Sequence, residues 1–472
     1  MPEQQAKLEV GDETEISQIL LGRSPFFEQG PGAPLHEAVF DEGALWRADE
    51  RGIWQSIPSA AVTRMVMAFS GMPRPTAEGG ETPMKIGASF AAGVGKLVEA
   101  DCQVEGFFAA AAWGIAFRNG FLRINVDGSA ALEPLTTEHR CRFALDFDYD
   151  PDAAPPLAFL AFVQSIWGLE GPGLEQVSLL LEWIGYLMSS RTDLQKVLLM
   201  IGPPRSGKGT ILRFIQALFG PAACTFKVSA LGEKWTTATM VGKLVAYDPD
   251  VRRGSFEDES KAIETILSIS GEDPVPTQRK FQALAQVRLG ARLMFGTNPP
   301  FRMADAGGAL STRLLILEMA KSFLGIEDTT LDARLKTETP GIVRLAVLAL
   351  QALTERGRFI EPASSAETRR AIERAETPLL GFLEDRCELS DDRQNCVSCK
   401  ELYAEFKAWC EETGHKRPSD ATFGENLRRF GVQRIRARDG QGGQRARVYA
   451  GIKLLPSEPR LGAPKLRLAA SS

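Results

Sequence analysis

The segment Gly202-Pro203-Pro204-Arg205-Ser206-Gly207-Lys208-Gly209-Thr210 has the residue types and spacing to hold a polyphosphate. Gly202 and Gly207 allow the backbone to turn so that its N–H groups face phosphate oxygens. Lys208 stands where a cation reaches the β- and γ-phosphates, and a hydroxyl beside it ligates Mg²⁺. The pattern departs from its simplest form at one position. Gly209 occupies the usual Ser/Thr place and Thr210 follows it, so the hydroxyl role passes to Thr210.

A phosphate loop that supports hydrolysis also needs a carboxylate at a strand end to hold Mg²⁺ and its water. The segment 242–252 offers Asp248 and Asp250, separated by Pro249. Either is a candidate, and the other is then a turn-forming aspartate. A later apolar run ends in Gly296-Thr297-Asn298, which places Asn298 where a side-chain amide can orient an attacking water. Arg313, at the head of the next run, is a candidate to project into a neighbouring subunit's site and stabilise transition-state charge. Between these motifs, Arg279 and Lys280 sit beside Phe281 in a turn-prone stretch. Cations there could contact DNA phosphates and the aromatic ring a base, as in a pore loop.

These residues need a scaffold. Residues 195–355 alternate strand-like and helix-like runs, which points to an α/β layer architecture. Lys196–Ile201, Lys243–Tyr247, Arg292–Thr297 and Arg313–Leu317 read as near-continuous apolar strands, hence as a sheet covered on both faces. A helix is expected after the loop from Ile211, Leu212, Ile215 and Leu218, closed by Gly220. That strand–loop–helix context is what separates a phosphate loop from a chance Gly-rich turn.

The rest of the chain divides around this block. Residues 1–35 are polar and rich in Gly and Pro and read as a flexible arm. Residues 36–150 read as a small mixed α/β region, with Trp46, Trp54 and Trp113 in its core. Phe121–Leu135 reads as a hairpin turning at Asp127-Gly128. Residues 151–195 carry helical spacing, 196–355 are the core, and 356–377 read as a charged linker. Residues 378–455 read as helix (Cys399–Glu412), helix (Ala421–Phe430) and two strands around 439–443. That order suggests a winged helix. Residues 456–472 form a basic tail.

Composition bounds the reading. The chain has 472 residues, enough for two to four domains. With 44% hydrophobic and 24% charged residues it is an ordinary globular sequence rather than a disordered one. A net charge of -5 conceals an asymmetry, because eleven Lys and Arg lie from Arg428 onward against Asp439 and Glu458. Arg434, Arg436, Arg438, Arg445 and Arg447 are the basic residues expected to meet a polyanion such as DNA backbone. Seven unevenly spaced cysteines suit a reducing compartment. Cys396 and Cys399 form a C-x-x-C, but with Cys387 and Cys410 the spacing fits no zinc ribbon, and they read as plain thiols. With no signal-peptide core and no apolar run near ~20 residues, the expectation is a cytoplasmic protein, in a bacterial or phage-infected cell, without a membrane anchor.

In motif order and wording the sequence resembles the superfamily 3 helicase module of phage/plasmid primases. The similar stretches run from about Gly114 to Leu455 and include 119–128, the phosphate loop 202–210, 242–252, 269–281 and 297–313. The resemblance implies an AAA+-like P-loop core with a helical collar before it, assembled as a hexamer with ATP between subunits and moving 3′ to 5′ on DNA. It also implies that Lys208 and Thr210 are the Walker A residues and that Asp250 is the Walker B acid. Asn298 is then the sensor, Lys280 the pore-hairpin residue and Arg313 the arginine finger. Many relatives carry two arginines where this chain has Thr312-Arg313. Family members that make primers carry a long N-terminal polymerase domain with clustered acidic and His residues. Here about 150 residues precede the collar and the histidines are His36, His139 and His415, so no primer-synthesis site is expected.

Two functions fit this set. One is an ATP-dependent, ring-shaped DNA helicase replicating a phage, plasmid or other mobile element. The other is an ATP-switched replication initiator or scaffold that binds DNA without processive unwinding. A small-molecule P-loop kinase leaves the basic residues without a purpose.

Overall fold

A computed structural model describes residues 8–23, 35–251, 256–278, 285–298, 309–376, 378–390, 392, 395–413, 418–438 and 445–455. The apolar runs of the central block form one five-stranded parallel sheet. Its spatial order is Ala223–Thr225, Val245–Asp248, Arg292–Thr297, Val197–Ile201, Leu314–Glu318. Strands Val197–Ile201 and Arg292–Thr297 are buried at every position, so both faces of the sheet are covered. Four of the five were expected. The edge strand Ala223–Thr225 was not, because three residues carry no readable periodicity.

The loop strand and the acidic strand are not neighbours in the sheet. Arg292–Thr297 lies between Val197–Ile201 and Val245–Asp248. Asn298 therefore emerges between the phosphate loop and the acidic segment. The helix Lys208–Phe219 buries Ile211, Leu212, Phe214, Ile215, Leu218 and Phe219 against the sheet. It ends at Gly220, whose φ of 48° needs a residue without Cβ.

Helices Leu157–Trp167 and Gly171–Met188 precede the sheet. The second packs against Thr339–Arg356 so closely that a Cβ on Gly185 would stand 2.5 Å from the Ala346 carbonyl oxygen. Buried Glu182 accepts from Arg356 Nη2 at 2.6 Å and from the Ile360 amide at 2.9 Å, holding the end of that helix. No helix among the described residues is long and apolar enough to cross a membrane.

Three expectations are corrected. Within residues 1–35, Glu13–Leu20 is a helix capped by Asp12, and Ile16, Ile19 and Leu20 are buried in one core cluster with Val94 and Val98 of helix Ala88–Asp101. A two-turn apolar stripe inside a Gly/Pro-rich stretch gave too short a signal. Trp113 is 38% exposed, unlike the buried Trp46 and Trp54, and is covered on one side by the Arg191 guanidinium 4.3 Å from its ring centre. The segment 356–377 contains helix Ala363–Glu376, whose start is tied to the core. Ser365 Oγ donates to the Ile316 carbonyl at 2.7 Å, and Gln176 Nε2 donates to Ser364 Oγ at 2.9 Å. The hairpin around Gly128 is present, with Gly120–Ile124 paired antiparallel to Ala130–Glu133 and Gly128 at φ 80°.

Chain contacts separate a first compact unit (1–301 and 312–366) from a second (302–311 and 367–472). In the second, helices Pro378–Arg386, Cys399–Thr413 and Asp420–Arg429 enclose a core of Phe382, Leu402, Phe406, Trp409, Phe423 and Tyr449. Strands Gln433–Arg438 and Arg445–Ala450 follow as an antiparallel pair, with Cys396–Ser398 on the outer side of the latter.

Candidate nucleotide-binding cleft

The C-terminal ends of the parallel strands carry the motif residues, and the phosphate loop leads from Ile201 into helix Lys208–Phe219. Gly207 caps that helix at φ 103°, and a Cβ there would meet Ile166 Cδ1 at 2.9 Å. Both the backbone conformation and the space therefore require glycine. The same helix N-terminus directs backbone N–H groups and positive potential outward.

A cleft of about 520 Å³ opens over this loop. Gly207, Lys208, Gly209, Thr210, Asp250 and Asn298 all line it. Gly202 lies at the base of the loop, where the Lys208 ammonium donates to its carbonyl at 2.5 Å. Lys208 Nζ also reaches the Pro203 carbonyl at 2.9 Å, Ser206 Oγ at 3.2 Å and Asn298 Oδ1 at 3.2 Å. Partial burial lowers the pKa of Lys208, and the Asp250 charge works against that shift. An ammonium held on neutral acceptors in a partly dry cleft is stabilised further by any anion that enters.

Asp248 and Asp250 have different surroundings. Asp248 is buried, and its carboxylate accepts from Lys227 Nζ at 2.9 Å, the Val228 amide at 2.8 Å and the Asp250 amide at 3.2 Å. It is absent from the cleft wall and fixes the local chain path. Of these two aspartates, Asp250 borders the cleft.

Thr210 Oγ1 accepts from Arg213 Nη2 at 3.2 Å, and Arg213 pairs with Asp332 at 2.6 Å. The Thr210 hydroxyl and the Asp250 carboxylate are hard oxygen donors on one cleft, the set Mg²⁺ takes when it keeps several waters and phosphate oxygens as its other ligands. Among the described residues no cluster of three His, Cys, Asp or Glu side chains is placed to cage a metal by protein ligands alone.

Several cleft residues lie outside the expected motifs. Helix Leu157–Trp167 contributes Ala158, Ala161 and Phe162, and Ile326 and Leu331 face the same space, giving an apolar end suited to a base. Arg205 and Arg334 add cations near the loop. Arg205 adopts φ 60°, a left-handed conformation uncommon for a side chain of its size. Glu338 holds the wall helix by accepting from the Ala158 and Phe159 amides at 2.8 and 3.0 Å. A capping carboxylate 180 residues away cannot be read from local sequence.

Arg313 is not on this cleft. Its Nη1 donates to the Leu267 carbonyl and to Ser270 Oγ, the latter at 2.8 Å, at the C-terminal end of helix Phe256–Ser270. A cation is favourable there because it meets unpaired carbonyls. Arg279 and Lys280 lie outside the described residues, but the strands flanking them are paired, with Val275 opposite Val287. Glu272 and Arg288, just beyond those strands, form a 2.7 Å ion pair across the hairpin base.

In the second unit, Arg436 stands opposite Arg447 and Arg438 opposite Arg445, and Arg434 is two residues before Arg436. Strand alternation puts Arg434, Arg436 and Arg447 on one face of the hairpin. Arg434, Arg436 and Arg447 are exposed. Like charges facing each other across a strand pair destabilise it, a cost that a bound polyanion offsets.

Residues 200–313 match the model of a family of unknown function (DUF5906), and residues 376–450 match the model of the family described as poxvirus D5 protein-like. Among solved structures, the chain is similar to an A form apo structure of the NrS-1 C-terminal region at 11% identity. That match covers 88% of this chain and 96% of that one with a TM-score of 0.48. A second apo structure of the same region matches at 11% identity over 88% and 95%, with a TM-score of 0.49.

Proposed function

We propose that this chain is an ATP-dependent motor acting on DNA, with an AAA+-like P-loop core, a helical collar at 151–195 and a winged helix at 378–455. The observation that carries the reading is the meeting of Lys208, Thr210, Asp250 and Asn298 on one cleft at the ends of parallel strands. The match of residues 376–450 to the model of a poxvirus D5 protein-like family supports the replication setting.

In this reading ATP binds with its phosphates on Gly202–Thr210 and its base toward Ala161, Phe162 and Leu331. Lys208 exchanges its loop carbonyls for phosphate oxygens. Thr210 and Asp250 hold Mg²⁺, which neutralises charge on the phosphates when bound. Asn298 orients the attacking water. Arg313 acts on the site of an adjacent subunit in a ring, a homo-oligomer with a hexamer as the expected form. DNA passes Arg279 and Lys280 in the ring and meets Arg434, Arg436, Arg438, Arg445 and Arg447 on the hairpin. The motor serves replication of a phage, plasmid or other mobile element in the cytoplasm, and the reading covers unwinding rather than primer synthesis.

A second reading keeps ATP binding but replaces unwinding with an assembly switch. It is favoured by one contact: Arg313 is engaged within its own chain, so catalysis in trans requires that contact to open. Strand displacement on forked DNA of both polarities, with wild type and Lys208→Ala, separates the two. Unwinding by the wild type alone supports the motor. ATP hydrolysis without strand separation on any fork favours the switch.

A further inference from the structure

At the opposite end of the core sheet from the phosphate loop is a second, smaller cavity of about 80 Å³. Its lining includes Leu244, just before strand Val245–Asp248, and Arg292, the first residue of strand Arg292–Thr297. The nucleotide cleft lies past the far ends of these strands, roughly 15–20 Å away at ~3.3 Å per residue. The two sites are therefore separate.

The lining holds four guanidiniums, those of Arg140, Arg142, Arg288 and Arg292, against two carboxylates, Glu42 and Glu272. Both carboxylates are engaged. Glu42 pairs with Arg142, and Glu272 pairs with Arg288 at 2.7 Å while accepting from Thr192. The other two arginines have only neutral acceptors. Arg140 Nη1 donates to the Phe107 carbonyl at 2.7 Å. Arg292 is 4% exposed and donates to the Gly290 carbonyl at 3.1 Å and the Ser189 carbonyl at 2.9 Å. Its Nε–H is buried without a hydrogen-bond partner. Burial lowers the Arg292 pKa to about 10, and the Arg142 charge adds to that effect.

A buried donor without an acceptor is costly, and two guanidiniums whose hydrogen-bond acceptors are all neutral leave the cavity with a surplus of positive charge. Together in one cavity they describe the complement of a dianion. Planar guanidinium forks suit phosphate oxygens, and a phosphate monoester carries close to two charges at neutral pH. The volume is far below the ~300 Å³ or more of typical small-molecule pockets, so a phosphate group fits and a nucleoside does not. Arg288, with 42% of its side chain exposed, stands where the cavity meets solvent.

We propose that this cavity is a phosphate-binding site, occupied by inorganic phosphate or by the terminal phosphate of a nucleic-acid strand. The proposal is independent of the nucleotide reading, because none of its residues belongs to the phosphate loop. Its position adds a consequence. Glu272 and Arg288 bracket strands Val275–Thr277 and Ala285–Val287, so a phosphate drawing on Arg288 acts at the base of that hairpin.

The test uses the full chain carrying Lys208→Ala, which removes the principal cation of the other phosphate site. Titration with inorganic phosphate in a phosphate-free zwitterionic buffer, followed calorimetrically, is expected to saturate at one equivalent. Arg140→Gln and Arg288→Gln, each added singly, should weaken binding by roughly 10-fold or more, the effect of losing one charged hydrogen bond. Near-UV circular dichroism checks that each variant is folded. Competition by a 5′-phosphorylated trinucleotide, but not by its unphosphorylated form, identifies a strand end as the ligand. Binding of inorganic phosphate without such competition identifies the free ion. Absence of a saturable site in Lys208→Ala, or an affinity in both folded arginine variants equal to that of the Lys208→Ala parent, overturns the proposal.

Discussion

Lys208 Nζ and Asn298 Oδ1 lie 3.2 Å apart although 90 residues separate them in the chain. The contact exists because strand Arg292–Thr297 sits directly beside strand Val197–Ile201, with Thr297 level with Ile201. Replacing Asn298 by Ala should leave nucleotide affinity within a few-fold and lower the hydrolysis rate by roughly 100-fold, as for loss of one oriented polar group at a reacting centre. Steady-state ATPase with a binding titration is the check. A kcat equal to wild type would remove Asn298 from the mechanism.

The two aspartates of the acidic segment should separate by phenotype. Asp248→Asn weakens a charged contact with Lys227 and puts an amide where two backbone N–H groups donate. It should cost about 1–3 kcal/mol of stability. Asp250→Asn should cost less stability than Asp248→Asn while abolishing Mg²⁺-dependent hydrolysis. Denaturant unfolding and ATPase assays on both variants give the answer, and the opposite pairing of effects would reverse the assignment.

Glu338→Ala tests the wall of the cleft. Two amides at the start of helix Leu157–Trp167 lose their acceptor, which should cost about 1 kcal/mol. Because Ala158, Ala161 and Phe162 of that helix border the cleft, nucleotide affinity should fall as well. Glu338→Gln, which keeps one of the two acceptor oxygens, should recover part of both losses. Affinity unaffected by Glu338→Ala would mean the wall does not contribute to binding.

Acid stability should depend on Glu133. Its carboxylate accepts from Arg123 Nη2 at 2.6 Å and lies 2.6 Å from His139 Nε2, contacts that hold its pKa down to about 2. The folded state thus binds a proton less readily than the unfolded chain, where a glutamate titrates near ~4.3. This contribution is complete above that value and is lost as pH falls toward 2. Wild type should lose stability more steeply than Glu133→Gln between pH 4.5 and 2. Parallel slopes would show that Glu133 has no part in it.

The sequence disclosed those features that depend on neighbours in the chain. The loop Gly202–Thr210 is legible because an apolar strand, paired glycines and an amphipathic helix are consecutive. Helix Cys399–Thr413, helix Asp420–Arg429 and the arginine hairpin were legible for the same reason. Features set by distant contacts were not. Nothing local distinguishes Asp248 from Asp250 until Lys227 and Val228 are seen to occupy the former. Helix Leu157–Trp167 reads only as apolar, and its place on the cleft follows from the contact of Phe162 and Ile166 with Gly207. The surplus of arginines at the far end of the sheet is assembled from two segments far apart in the chain, 140–142 and 288–292, so no local motif could have marked it.

The order of strands in the core sheet also sets how this protein must be made. Val197–Ile201 occupies an interior position, yet both of its partners, Arg292–Thr297 and Leu314–Glu318, are synthesised about a hundred residues later. At ~5–20 residues per second, the ribosome leaves that apolar strand with two open edges for roughly 5–20 s. Pairings this distant in sequence close slowly, and open strand edges are templates for aggregation. Yield of native protein should therefore respond to translation speed and to chaperones that cover nascent strands. The phosphate loop cannot acquire its Asn298 contact until residue 298 has left the ribosome.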